Sequence, residues 1–136
     1  TPFSIGHVRT TCKNALGLPA MCQTEPLQSG SNIFLFPPVG LQHINMGRAL
    51  YERNELFEAM MKQCDDLAAL PRSLLDVLYP KSDEAAECAE LLQTPMYTMP
   101  ALFAVEYSLY RLLVAQGCVP DVVVGHSIGE FVVAVA

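Results

Sequence analysis

With 136 residues, 51% hydrophobic and 16% charged, the chain has the make-up of a folded domain or part of one, not of a disordered segment. Eight basic and fourteen acidic residues give a net charge of −6, and no basic stripe exists that could neutralise phosphates, which excludes a nucleic-acid binder. No apolar run approaches the ~20 residues of a membrane-spanning helix, so no membrane partner is expected either.

The five cysteines, Cys12, Cys22, Cys64, Cys88 and Cys118, are odd in number and never spaced as CxxC. That pattern argues against a zinc site and against a disulfide framework. It reads as free thiols in a reducing compartment, the cytoplasm or alternatively a plastid. The chain starts at Thr1 and stops at Ala136 within an apolar run, and it is expected to be a piece of something longer.

Residues 1–31 mix Gly, Pro, Ser, Thr and Cys without a helical or strand period and end in Gln28-Ser29-Gly30-Ser31. They read as a linker or the tail of a preceding domain. They hold Arg9, Lys13 and Glu25, a weak match to a transit peptide. Of the charged residues, six basic and thirteen acidic ones fall in residues 32–136.

Ile33-Phe34-Leu35-Phe36 is a short apolar run ended by Pro37-Pro38, the pattern of a buried strand in a parallel sheet. A loop with Gly40 follows, and Arg48–Tyr51 opens a helical stretch. Asn54 is placed as an N-cap, with Glu55 and Glu58 in the first turn, where the helix dipole favours acids. Phe57, Met60, Met61, Cys64, Leu67 and Ala68 recur at spacings of three and four, an amphipathic helix that ends before Pro71. A short helix over Ser73–Tyr79 stops at Pro80, and Asp83–Leu92 is an acidic helix.

Thr94-Pro95 reads as a break. Pro100 suits the first turn of the next helix, which runs to a C-cap at Gly117. Leu102, Val105, Leu109, Leu112 and Leu113 form its stripe, widened by Phe103, Tyr107 and Tyr110, so burial on most sides is expected. Val122-Val123-Val124 is a second buried strand, and Ile128–Ala136 a last helix. Strand, helices, strand, helix is the order of an α/β fold with a parallel sheet.

Gly125-His126-Ser127-Ile128-Gly129 carries the strongest chemical signal. It matches G-x-S-x-G between a strand and a helix, the context of a nucleophile elbow. A nucleophile on so sharp a turn has strained backbone angles, and side chains two before and two after it would collide. Ser127 would then present Oγ at the strand's carboxyl end, with the Ile128 N–H as an oxyanion donor. A serine needs a base. His126 leaves the elbow in another direction, His7 lies in the linker, and His43 follows the first strand as the one alternative within the chain. The base is expected beyond Ala136.

With Glu130 added, Gly125–Glu130 reads GHSIGE. It resembles the GHSxGE of the acyltransferase domain of type I polyketide synthases and of the malonyl-CoA:acyl carrier protein transacylases of fatty acid synthesis. Phe34-Leu35-Phe36-Pro37, Gly40, Gln42, Met46 and Gly47 resemble the family's opening FxFPGQGSQxxGMG. Leu74–Pro80 resembles the segment before its acidic helix, and Thr98–Ala104 its TQPALFA. These segments follow the family's order over residues 32–136.

The resemblance implies the N-terminal part of a hydrolase-like parallel-sheet domain, truncated after the elbow, with a ferredoxin-like subdomain further on. It implies transfer of a malonyl-type group from coenzyme A through a Ser127 ester to the phosphopantetheine thiol of an acyl carrier protein. That carrier and other domains of a multidomain synthase are the implied partners, and no bound cofactor or metal is called for. It assigns the oxyanion donors to the backbone N–H groups of Ile128 and Val39, and pocket positions to His126, Gln42 and Met99. It also implies a catalytic histidine and a carboxylate-binding arginine beyond the chain.

Two departures stand out. Pro38-Val39 replaces Gly-Gln of GQGSQ, and Met99 replaces the glutamine of TQPALFA; each removes an active-site amide. Ile128 after the serine and Val124 before Gly125 lean towards malonyl over methylmalonyl. An α/β-hydrolase thioesterase and a non-catalytic fragment are the competing readings. Carrier proteins are acidic like this chain, so only Arg48, Arg53 and Arg111 offer local docking charge. If residues 1–31 are a linker, deleting them from the complete domain leaves its melting temperature unchanged; a large drop would show that they pack on the core.

Overall fold

The structure, a computed structural model, describes residues 31–136. The linker expected over residues 1–31, with His7, Cys12 and Cys22, lies outside these residues except for Ser31. The apolar run Ile33–Phe36 forms β1, and Val122–Gly125 forms β2. The two pair in parallel as a two-stranded sheet, Ile33 opposite Val122 and Phe36 opposite Gly125. The register is locked at its amino end by a polar clamp. The Asn32 N–H donates to Asp121 Oδ2 at 2.8 Å, the Asp121 N–H returns a bond to the Asn32 carbonyl at 2.9 Å, and Asn32 Nδ2 donates to the Val119 carbonyl at 3.1 Å.

Between the strands lie five helices, α1 (Arg48–Tyr51), α2 (Glu55–Ala68), α3 (Leu74–Leu78), α4 (Ala85–Leu92) and α5 (Pro95–Ala115). After β2 comes α6 (Gly129–Val135). The element order is that of the α/β fold expected. Asn54 caps α2 as its residue type suggests: Oδ1 accepts the Phe57 N–H at 2.9 Å. Ser73 caps α3, its Oγ accepting the Asp76 N–H, while Asp65 of α2 accepts from both Ser73 Oγ at 2.7 Å and the Leu74 N–H at 2.6 Å. Gly117 (φ 86°) closes α5 in a Schellman motif, with Gly117 N–H to Val114 O and Cys118 N–H to Leu113 O. The main core joins α2, α3, α4 and α5 through Phe57, Met61, Leu74, Val77, Leu78, Cys88, Leu92, Tyr97, Ala101, Ala104, Val105 and Leu112.

Two expectations are corrected. Helix α5 starts at Pro95, not Pro100, and Pro100 sits inside it. Pro95 takes the first helical position, where its missing N–H costs nothing. Pro100 lacks the N–H that would bond the Met96 carbonyl, but Met96 is exposed, so water can serve that carbonyl. The strands are also not buried on both faces. Phe34 and Phe36 pack edge-on against Tyr110 of α5 at 6.3 and 6.2 Å between ring centroids. The alternate side chains face outward, and Leu35 is 71% exposed. Only one face of the pair is lined by the described helices, and an apolar run by itself does not say how many faces are covered.

Glu106 interrupts the apolar stripe of α5. It is 8% exposed, and neither carboxylate oxygen has a hydrogen-bond partner among the described residues. Burial pushes its pKa up to about 7. An acid raised in the folded state favours folding while protonated, and that contribution is lost as pH rises from the unfolded value through about 7. Glu106→Gln is therefore expected to match the unaltered protein in stability near pH 4 and exceed it at pH 8. Denaturant midpoints at the two pH values check this.

No helix of the described residues is long and apolar enough to cross a membrane.

Candidate active site

Parallel pairing of Phe36 with Gly125 sends two loops out of the same sheet end. One is Pro37–Gly47, after β1. The other is His126–Ile128, between β2 and α6. The His126 N–H donates to the Phe36 carbonyl at 3.0 Å, so the second loop is tied to the first strand.

The elbow has the backbone its motif requires. Ser127 has φ 56°, a left-handed conformation uncommon outside glycine, costing about 1–3 kcal/mol. The two glycines serve close approach. A Cβ on Gly125 would overlap the Gly129 carbonyl and lie 2.6 Å from the Glu130 nitrogen. A Cβ on Gly129 would overlap the Phe36 carbonyl group, 2.7 Å from its carbon. The strand, the elbow and the start of α6 thus touch backbone to backbone.

Ser127 is exposed, whereas Ile128 and Gly129 behind it are buried. The N–H groups of Gly129, Glu130 and Phe131 are taken by the carbonyls of His126, Ser127 and Ile128. That leaves the N–H of Ile128 without an acceptor among the described residues. The Val39 N–H is likewise unpaired there, in the Val39–Gly40 turn at the same sheet end. The geometry thus brings a strained, exposed serine and two donors unpaired among the described residues to one edge.

The other expected site residues are placed differently. Gln42 does not project its amide as a free pocket group. Its Oε1 accepts the Gly40 N–H at 2.8 Å, and its Nε2 donates to Gln93 Oε1 at 2.8 Å. Met99 lies on an exposed side of α5. His126 is exposed, and no side-chain group among the described residues hydrogen-bonds to Ser127 Oγ. His43 Nδ1 sits 3.0 Å from the Leu41 carbonyl and is engaged locally. Of the three arginines, Arg48 pairs with Glu52 at 2.7 Å and Arg111 donates to Tyr107 at 2.8 Å; Arg53 makes no side-chain hydrogen bond among the described residues. No cluster of metal-ligating residues occurs among them.

A groove of about 280 Å³ lies between α1 and α3, lined by Arg48, Tyr51, Glu52, Leu75, Asp76 and Tyr79, none of them from the elbow or the Val39 turn. Burial, reinforced by Tyr51 and opposed by Arg48, pushes the Tyr79 phenol up to about 12. Gln93 and Glu106 were missed as residues of interest. Gln93 has no local signal, because its partner is 51 positions away. Glu106 had one, a lone acid within the apolar stripe of α5.

The family model described as "Acyl transferase domain" matches residues 33–136. The chain is 40% identical over 113 residues to the polyketide synthase GfsA of Streptomyces halstedii, covering 79% of this chain and 1% of that protein. It is 33% identical over 112 residues to the polyketide biosynthesis acyltransferase homolog PksD of Bacillus subtilis, covering 81% and 32%. Among solved structures, the acyl transferase domain of ZmaA superposes with a TM-score of 0.70 at 34% identity, over 77% of this chain and 25% of the other. A malonyl-CoA:acyl carrier protein transacylase (FabD) of Xanthomonas oryzae gives 0.64 at 28% identity, over 79% and 33%.

The chain belongs to the acyl transferase domain family. It spans about a third or less of the relatives it matches.

The close approach behind the elbow yields a direct expectation. Gly129→Ala should cost ~2–4 kcal/mol, because the added methyl meets backbone and has no flexible side chain to displace. Denaturant unfolding of the variant checks it.

Proposed function

We propose that residues 32–136 are the N-terminal part of an acyltransferase domain. The domain moves a malonyl-type group from coenzyme A to the phosphopantetheine thiol of an acyl carrier protein. The observation that carries this reading is Ser127 at φ 56° on a strand-to-helix turn, with the N–H groups of Ile128 and Val39, unpaired among the described residues, at the same sheet end. Family membership supports it, as does the likeness to a solved malonyl-CoA:acyl carrier protein transacylase.

In this mechanism Ser127 Oγ attacks the thioester carbonyl and gives its proton to a base supplied by the rest of the domain. The carbonyl oxygen gains negative charge and is met by the Ile128 and Val39 N–H groups, each such donor being worth ~3–4 kcal/mol in the transition state. The C–S bond breaks, and coenzyme A leaves as its thiol, with the base returning the proton. The carrier thiol then gives its proton to the base and attacks the Ser127 ester; the C–O bond breaks, and the base returns the proton to Ser127 Oγ. Replacing the family's Gly-Gln by Pro38-Val39 keeps the main-chain donor, because valine retains its N–H.

The preference for malonyl rests on Ile128 and Val124, by resemblance. Ile128 is nearly fully buried, and an aliphatic side chain next to the nucleophile would narrow the site beside the acyl α-carbon. One methyl of size discrimination is worth only ~1–3 kcal/mol. An acidic carrier would dock chiefly on charge supplied elsewhere in the domain, with Arg53 a local cation that makes no side-chain hydrogen bond among the described residues.

Incubation of the complete domain with radiolabelled malonyl-CoA tests the assignment. The unaltered protein is expected to trap label as an ester, and Ser127→Ala to trap none. Label at the unaltered level in Ser127→Ala refutes it. A higher specificity constant for methylmalonyl-CoA or acetyl-CoA in competition refutes the acyl preference.

A further inference from the structure

The Val39–Gly40 turn has two amide hydrogens following two prolines that have none. Gly40, at φ 120°, uses its N–H to reach Gln42 Oε1 at 2.8 Å. The same amide then spends its Nε2–H on Gln93 Oε1, also at 2.8 Å. Gln93 is the C-cap of α4, whose Cys88 and Leu92 are fully buried in the core. One side chain therefore folds the turn upon itself and fastens it to a rigid helix.

The rest of the loop is fastened separately. The Asn45 N–H bonds the Leu78 carbonyl at 2.6 Å, and Tyr79 Oη donates to the Met46 carbonyl at 3.1 Å. Between these anchors and the end of β1, Gln42 is the only side chain of the loop that bonds outside the loop among the described residues. With the Gly40 N–H committed, the Val39 N–H is the donor left over.

We propose that the Gln42–Gln93 amide pair is a positioning device for acyl transfer, holding the Val39–Gly40 turn so that the Val39 N–H stays free beside the Ser127 elbow. This rests on the acyltransferase reading above. Gln42 touches no reacting atom in this role; it acts through the main chain of Val39. The arrangement also accounts for a loop whose usual glycine and glutamine are replaced by Pro38 and Val39. The turn is held by an amide downstream of the replaced positions, so their side chains are not needed to shape it.

The test uses Gln42→Ala, Gln93→Ala and the double variant in the complete domain, with malonyl-CoA as acyl donor. Both side chains are at least partly exposed, so the melting temperature is expected to stay within a few degrees. Each single variant is expected to lower kcat about tenfold or more, approaching the ~100-fold of a lost oxyanion donor, with KM for malonyl-CoA little changed. The double variant is expected to be no slower than the slower single one, because both substitutions cut the same link. Amide hydrogen exchange at Gly40 is expected to quicken in all three.

Singles with unaltered kcat, an additive double variant, or a loss confined to KM would each overturn the proposal while leaving the acyltransferase reading intact. So would quickened Gly40 exchange without loss of kcat. If the unaltered domain forms no Ser127 ester, the reading fails, and this proposal falls with it.

Discussion

At the carboxyl end of the sheet three backbone segments meet with no side chain between them. Gly125 faces the Gly129 carbonyl, Gly129 faces the Phe36 carbonyl, and Phe36 accepts the His126 N–H. Contact this close fixes where α6 begins relative to β1, and so fixes the turn between. Ser127 is held at φ 56° between two positions where not even a Cβ fits. The register set by Asn32 and Asp121 at the other strand end is part of the same constraint. A slip of one residue would move Phe36 away from Gly125 and separate the two loops.

The strain is tolerated because the surroundings are over-determined. Tyr110 of α5 packs on both Phe34 and Phe36 of β1, and its hydroxyl donates to the Ala136 carbonyl just past α6 at 2.8 Å. One aromatic residue thereby ties the strand, the long helix and the end of the last helix together. Aromatic pairs of this kind contribute ~0.5–1.5 kcal/mol beyond their buried area, comparable to the cost of one left-handed serine. Helix α5 is in turn held by the core it shares with α2, α3 and α4. The chain of support thus runs from the helical core through Tyr110 to the elbow.

Much of this was legible locally. A capping residue acts within three positions, so Asn54 and Gly117 could be read from their neighbours. The elbow too is local, its two glycines and serine lying within five residues. What escaped was non-local or degenerate. Pro95 and Pro100 both fit the first turn of a helix, and only the exposure of Met96 shows that the second can be interior. Leu35 reads as core by composition, yet its burial depends on what covers that sheet face. Gln42 reads as a pocket residue from its place in a motif, but its bond to a side chain on a distant helix carries no local signal.

The clamp between Asn32 and Asp121 joins residues 89 positions apart, which makes it expensive in chain entropy. Helices α2 to α5 follow one another closely, and their shared core can assemble from shorter loops. The helical layer, built on shorter-range contacts, is therefore expected to form before the strands pair. The left-handed turn at Ser127 depends on that pairing, so the elbow geometry is expected to arise only once β1 and β2 are zipped.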